Sequence, residues 1–238
     1  MLKLSPKLLY LIKYIKSRES NSINKQLQLI DEIAQENSSS LEGLLYILQI
    51  SYKSNTLKPN CIYGYIYQTL YKSEYIYVAN ILKRQFPLGI VKFNSSYDIN
   101  YDKLHLLLIE QKFQEADKLT QNKLCKLANI PNQNRTWLYF TDIKKLPGQD
   151  LQHIDQLWNI YSKGKFGFSI QKKIWLQSNK DWNQLWINLG WQINNKLCRY
   201  PSEFIWEINA PNGHLPLFNQ LRGVRSLEYL FDHPAWLS

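Results

Sequence analysis

Apolar residues recur three and four positions apart through most of this chain, and that spacing restricts it to a stack of amphipathic helices. Leu8, Leu11, Ile12 and Ile15 form one stripe behind Pro6, and Tyr63, Ile66, Tyr67 and Leu70 form another. A third runs through Leu151, Ile154, Leu157, Trp158 and Tyr161. Positions so spaced share a helix face, and helices of this length hold together in water only when that face is buried against neighbours. Turn formers agree, because nine Gly and nine Pro in 238 residues are too few for the tight turns of an all-β sandwich. The expected class is all-α.

A shift in aromatic content divides the chain. All eight Trp lie between Trp137 and Trp236, whereas 12 of the 16 Tyr lie at or before Tyr101. Asn94-Ser95-Ser96 reads as a turn between two modules, an N-terminal helical bundle over residues 1–95 and a second helical module over residues 101–238. In the first, Ser39 with Glu42 forms a capping-box pattern ahead of Leu44, Leu45 and Leu48, and Pro59 and Pro87 punctuate later segments. In the second, Asp102 is expected to cap a helix carrying Leu104, Leu107, Leu108, Phe113 and Ala116. Another helix is expected over residues 119–128, stopped by Pro131. Asp150 is expected to cap the helix of the third stripe, which ends at Gly164. Phe166-Gly167-Phe168-Ser169-Ile170 alternates at period two, as in a short strand or a buried extended connection.

The net charge of +10 is spread evenly, with 12 Lys/Arg against 7 Asp/Glu in residues 1–100 and 17 against 12 in the rest. It favours acidic partners without choosing among nucleic acid, membrane surfaces and carboxylate-bearing ligands. Cys61, Cys125 and Cys198 are odd in number and far apart, so neither a disulfide framework nor a zinc site is expected and the default compartment is reducing. Leu8–Ile12, between Lys7 and Lys13, is too short to span a bilayer and has no cleavage site, and no Arg- and Ser-rich transit segment precedes the fold. An excess of Lys over Arg, with many Ile, Asn and Tyr, matches AT-rich codons, as in organelle genomes or AT-rich bacteria.

Catalytic patterns are missing. There is no nucleophile motif, HExxH or GxGxxG, and Gly164-Lys165-Phe166-Gly167 lacks the Lys-Ser/Thr of a phosphate loop. His105, His153, His214 and His233 are dispersed, so no metal site is expected. No catalytic residue is assigned and no enzymatic activity is expected.

One ordered set of short motifs is specific. It comprises Glu115-Ala116-Asp117 with Thr120, Asp150-Leu151 followed by Ile154-Asp155-Gln156-Leu157-Trp158, Gly164 through Gln171, Gly190-Trp191 and Gly213-His214-Leu215-Pro216. In order and spacing, across roughly residues 101–235, this set resembles the Genomes Uncoupled Four core. The resemblance implies an all-helical cupped-hand fold, preceded in some members by a helical bundle. It further implies binding of protoporphyrin IX and magnesium protoporphyrin IX, with stimulation of magnesium-chelatase through its porphyrin-handling subunit in chlorophyll synthesis. From that resemblance, the ligand segment is Phe218-Asn219-Gln220-Leu221-Arg222-Gly223-Val224-Arg225, an aromatic wall includes Phe140, and residues 131–135 form a second loop over the pocket.

The residues themselves agree with that chemistry. A porphyrin is a flat apolar disc edged by two propionates, so its site needs aromatic and aliphatic walls with cations at the rim. The tetrapyrrole-binding candidates are Phe140, Trp191, Phe218, Asn219, Leu221, Arg222 and Arg225. Arg222 and Arg225 are three apart, so on a helix their guanidiniums share a face and read either as a propionate clamp or as a solvated surface. Trp191 reads as a macrocycle stack or a core residue, His214 as an axial magnesium ligand or a turn-fixing group, and Asp117 with Thr120 as groups that orient a neighbouring loop. The rival readings are a basic, aromatic-rich RNA-binding module and a ligand-free helical scaffold; no nucleic-acid partner is expected. The expected location is the plastid, with cyanobacterial cytoplasm as the alternative and peripheral membrane association left open.

Overall fold

The computed structural model describes residues 5–17, 23–53, 59–93, 95–130, 135–218 and 224–237. The chain divides into two compact units, Met1–Lys92 and Phe93–Ser238, each with its own core. Among the described residues there are twelve α-helices and one two-stranded hairpin.

The first unit contains α1 (Pro6–Ser17), α2 (Ile23–Ala34), α3 (Ser38–Lys53), α4 (Cys61–Tyr71) and α5 (Ile76–Gln85). Helix α4 is its centre and packs against α2, α3 and α5. Its stripe of Tyr63, Ile66, Tyr67 and Leu70 is buried, as are Leu8 and Leu11 of α1 and Leu44, Leu45 and Leu48 of α3. Tyrosines suit this interior because each ring fills volume while its hydroxyl finds a partner. Tyr63 pairs with Ser51 Oγ at 3.1 Å, Tyr67 donates to the Phe86 carbonyl at 3.2 Å, and Tyr65 donates to Asp31. The cap of α3 differs from the Ser39–Glu42 expectation. Asn37 Oδ1 accepts the Ser40 amide at 3.0 Å, so the helix begins earlier and Ser39 lies within its first turn.

The second unit contains α6 (Asp102–Ile109), α7 (Phe113–Leu127), α8 (Phe140–Ile143), α9 (Gly148–Tyr161), α10 (Phe168–Gln177), α11 (Trp182–Leu189) and α12 (Val224–Phe231). Between α11 and α12, β1 (Gln192–Ile193) pairs antiparallel with β2 (Lys196–Leu197), Gln192 opposite Leu197. Asn194 and Asn195 both have positive φ, the two-residue turn whose twist suits a hairpin. A short 3-10 helix, Pro234–Trp236, ends the described chain and packs on α9.

Helix α9 organises this unit. All five residues of its predicted stripe are fully buried. Trp158 stacks on Phe113 at 6.0 Å and meets Phe166 edge-on at 6.5 Å, and its indole N–H donates to Thr120 Oγ1 at 3.0 Å. Burying a large apolar side chain contributes roughly 1.5–3 kcal/mol, so this aromatic group is a major stabilising element.

Several boundaries depart from expectation for identifiable reasons. The helix expected to run from Asp102 through Ala116 breaks at Gln111, whose φ of 59° separates α6 from α7. Asp102 opens α6 rather than capping it from outside, and Asn100 Oδ1 accepts its amide at 2.7 Å. Asp150 lies inside the first turn of α9, where it accepts the Tyr101 hydroxyl at 2.7 Å, and Pro147 holds the cap position. The period-two run at 166–170 is not a strand. Phe166 and Phe168 are both buried because Gly167, at φ 133°, turns the chain between them and Phe168 begins α10.

Two measurements check this packing. A Cβ on Gly167 would lie 2.7 Å from Asp155 Oδ1, in a backbone conformation that side chains rarely adopt. Gly167→Ala is therefore expected to destabilise the chain by about 2–4 kcal/mol in denaturant unfolding. His105 is buried, faces the Tyr161 hydroxyl at 2.7 Å, and is pushed by desolvation down to about 3. The unfolded chain protonates this histidine near 6.5 while the folded chain does not, so its contribution is complete above about 6.5 and is lost as pH falls toward 3. The destabilisation by His105→Gln is accordingly expected to shrink by roughly 2–3 kcal/mol between pH 7 and pH 4, read from urea melts at both pH values.

Candidate functional site

Helices α8 and α12 pack together and flank both candidate ligand loops. Residues 131–134 precede the stretch leading into α8, and residues 219–223 directly precede α12. Asn219, Leu221 and Arg222 of the predicted set therefore lie outside the described residues, as do four positions of the 131–135 loop.

What the flanking helices present is a layer of cations on aromatic rings. The exposed Arg225, in the first turn of α12, places its guanidinium carbon 4.0 Å from the Phe140 ring centroid. Phe140 also meets Tyr229 at 5.1 Å, and Lys144 Nζ lies 4.9 Å from the Tyr229 centroid. Arg225 and Tyr229 are one helical turn apart, so the same face of α12 supplies both. At the start of α8, Arg135 lies 4.4 Å from the exposed Tyr139 ring and pairs with Asp142 at 2.6 Å. That pair is largely buried, with side-chain exposures of 18% and 14%. Asp142 Oδ2 also accepts the Tyr139 amide at 2.7 Å, which fixes the first turn of α8. Ser226 Oγ donates to the Leu138 carbonyl at 3.2 Å and ties α12 to the stretch that enters α8. Cation–aromatic contacts at exposed positions are worth only about 0.5–1 kcal/mol each. Their use here is orientation: they hold planar guanidinium groups beside aromatic faces, a disposition suited to a flat anionic molecule.

Phe140 and Arg225 are thus brought together, whereas Phe218 and Trp191 are not on this surface. Phe218 is fully buried and meets Phe168 edge-on at 5.8 Å. Trp191 is also fully buried, stacks on Trp186 at 5.4 Å and donates its indole N–H to the His214 carbonyl at 2.8 Å. Both are core residues of the second unit. Tyr229 and Lys144 escaped the sequence reading, although the four-residue step from Arg225 to Tyr229 was a usable signal.

The stretch ahead of the 219–223 loop is held at every residue. Gly213, at φ 74°, donates its amide to the Lys165 carbonyl at 2.7 Å, in a space where a Cβ would meet Leu189 Cδ2 at 2.7 Å. Gln171 Nε2 donates to the carbonyls of Gly213 and Pro216 at 2.9 and 2.8 Å. The Leu215 carbonyl accepts the Gly167 amide at 2.9 Å. Asp117 Oδ1, from α7, accepts the Leu217 amide at 2.7 Å. His214 uses both ring nitrogens on backbone: Nε2 accepts the Ile205 amide at 3.0 Å, which leaves Nδ1 to donate to the Leu189 carbonyl at 2.6 Å. His214 is a turn-fixing group in this structure. The motifs Gly-Lys-Phe-Gly and Gly-His-Leu-Pro meet here and form a scaffold that leads in sequence into residues 219–223.

Burial perturbs the carboxyls of this scaffold. Desolvation pushes Asp117 up to about 7, against the lowering effect of the Leu217 amide. It likewise pushes Asp155 up to about 6, although that carboxylate accepts the Ser169 amide at 2.9 Å. Among the described residues no group of His, Cys, Asp and Glu is arranged to hold a metal ion, and no helix is long and apolar enough to cross a membrane.

Comparison with known proteins places this second unit. The profile of the GUN4-like family matches residues 94–234. An uncharacterized ycf53 protein of Porphyra purpurea is 46% identical over 220 residues, covering 92% of each chain. The chloroplastic tetrapyrrole-binding protein of Arabidopsis thaliana is 37% identical over 145 residues, 57% of this chain and 55% of that one. The GUN4 structure from Chlamydomonas reinhardtii superimposes with a TM-score of 0.57 at 39% identity, covering 61% of this chain and 95% of that one. With its profile spanning more than half the sequence and a relative matched almost end to end, the chain belongs to the GUN4-like family.

Proposed function

We propose that the 93–238 unit binds a tetrapyrrole, protoporphyrin IX or its magnesium complex, and carries it to the porphyrin-handling subunit of magnesium-chelatase without itself catalysing a reaction. The observation that carries the reading is Arg225 lying 4.0 Å over Phe140 where α8 packs on α12, in a chain similar to a chloroplastic tetrapyrrole-binding protein. The aromatic faces supply apolar area for the macrocycle, and Arg225 with Arg222 holds the propionates. Asn219 and Leu221 complete the ligand segment, backed by Phe218 and Trp191. Shielding the macrocycle and presenting its acidic edge are positioning tasks, for which a rigid scaffold and two loops suffice. The name of the Arabidopsis relative supports a plastid location.

Titration of the full chain with a soluble porphyrin is expected to give saturable tryptophan quenching at micromolar ligand; its absence would falsify the reading. Removing both guanidiniums, Arg222→Ala with Arg225→Ala, is expected to weaken binding roughly tenfold to a hundredfold while leaving helical circular dichroism intact. The range is wide because Arg225 is exposed and solvent screens part of each contact. Affinity should change little between 50 and 200 mM salt, because apolar burial dominates. A steep fall would instead favour a nucleic-acid partner through counterion release. Added porphyrin-loaded chain should accelerate magnesium insertion by the chelatase, measured by product fluorescence.

A further inference from the structure

We infer that Asp117 is a positioning residue for tetrapyrrole binding, acting through the Leu217 amide to fix the point from which the ligand segment leaves the scaffold. The inference rests on the function proposed above, because it assigns importance to that segment.

The argument is geometric. In sequence the ligand segment lies between Phe218 and Val224, both of them in described, hydrogen-bonded or packed surroundings. The far end is held by α12, through the Ser226 bond to Leu138 and the Arg225 contact with Phe140. At the near end the last polar tether is the 2.7 Å bond from the Leu217 amide to Asp117 Oδ1, a link across 100 residues. Behind it, Leu217 and Phe218 are buried, and Phe218 is wedged against Phe168. The tether therefore fixes the backbone at Leu217, two residues ahead of Asn219 in sequence.

The chemistry of the tether is unusual for a purely structural bond. Asp117 is only 6% exposed, it has no ion-pair partner among the described residues, and its carboxylate accepts the Leu217 amide. An isolated buried carboxyl is costly, and an asparagine of the same shape accepts a backbone amide without that cost. Helix α7 spends this group on one backbone amide, directly before the segment that carries Asn219 and Arg222. The Thr120–Trp158 bond, one turn further along α7, holds α7 to α9 independently. The two side chains of the Asp117/Thr120 pattern thus separate into a tether for the loop and a tie within the core. Among the described residues, the titratable groups acting on or sensing Asp117 electrostatically are Lys118 on its own helix and Tyr200 after β2.

Four variants of the full chain test this, with porphyrin affinity read by tryptophan quenching and hydrogen exchange read on peptides spanning residues 213–225. Asp117→Ala is expected to weaken porphyrin binding roughly tenfold and to accelerate exchange in those peptides, since it leaves a buried amide without its acceptor. Asp117→Asn is expected to restore most of the affinity at neutral pH. In the parent chain the tether is strongest when Asp117 is ionised, so affinity should fall as pH drops from 8 to 6; that step should be absent from Asp117→Asn. Thr120→Val removes the core tie and should lower the melting temperature with affinity unchanged. The triple variant Asp117→Ala, Arg222→Ala, Arg225→Ala should bind less than tenfold more weakly than the double arginine variant, because a clamp already removed has less to lose from misplacement.

The outcomes separate cleanly. If the parent chain binds no porphyrin, the tetrapyrrole reading fails and this inference falls with it. If the parent binds and Asp117→Ala binds equally well, this inference alone is overturned. Should Asp117→Ala not fold, the pH profile decides: the same pH step in Asp117→Asn as in the parent overturns the assignment. An affinity loss in Thr120→Val equal to that in Asp117→Ala would also overturn it, by reducing the effect to general loosening of α7.

Discussion

One glutamine side chain closes the scaffold on which the candidate site is built. Gln171, fully buried in α10, gives both amide hydrogens to the carbonyls of Gly213 and Pro216 and thereby pins a non-helical stretch across the helix. Irregular backbone inside a core is costly because its polar groups have no regular partners. Here each is matched: Gly213 by Lys165 and Gln171, His214 by Trp191, Leu215 by Gly167, Pro216 by Gln171 and Leu217 by Asp117. The cost surfaces at Gln171 Oε1, which is buried without a partner. An orphaned acceptor forfeits about 1–3 kcal/mol, while the bonds it makes possible contribute about 0.5–1.5 kcal/mol each. Two bonds from Nε2 roughly balance one orphan, so the gain lies in a fixed path for the chain.

The same unit stores opposing electrostatic costs. Asp117 and Asp155 are buried carboxyls held above their ordinary range, and His105 and His153 are buried imidazoles held below theirs. Between about pH 4 and 6 the folded chain retains protons on the carboxyls that the unfolded chain has lost. Over the same window it refuses protons on the imidazoles that the unfolded chain accepts. The first effect lowers stability as pH rises and the second raises it. Their opposition flattens the dependence of stability on acidity, although each group alone is strongly perturbed. Desolvation is the leading cause in all four, so the shifts follow from where the helices bury these residues.

The helical class and the buried faces were legible because they are local. The stripes of α4 and α9 are periodic in sequence, and periodicity survives any arrangement that buries one face. What failed to show was set by distant partners. Asp150 has the composition of a cap, yet its carboxylate is engaged by Tyr101, 49 residues earlier. Gln111 breaks a helix with a left-handed backbone that nothing in its side chain announces. Phe166 and Phe168 alternate like a strand because a glycine turns the chain between them, which imitates the period without the structure. At the candidate site, Arg225 and Phe140 were identified through resemblance to a family. The Tyr229 contact became visible only once α8 lay against α12, and the Arg135–Asp142 pair only once the stretch before α8 folded back on that helix.

These contrasts explain why the most specific motifs of the sequence are not the groups expected to touch ligand. Gly167 and Gly213 occupy positions that a methyl group would crowd, and His214 and Trp191 spend their polar atoms on backbone. Such residues tolerate little change because each satisfies two constraints at once, space and hydrogen bonding. The side chains on the α8–α12 surface satisfy one, stacking, and do so through flexible arginine and lysine stems. The binding proposed for this unit would gain from such a division between fixed framework and adaptable surface. Rigidity is concentrated in the scaffold up to Leu217, and the adaptable cations begin beyond it.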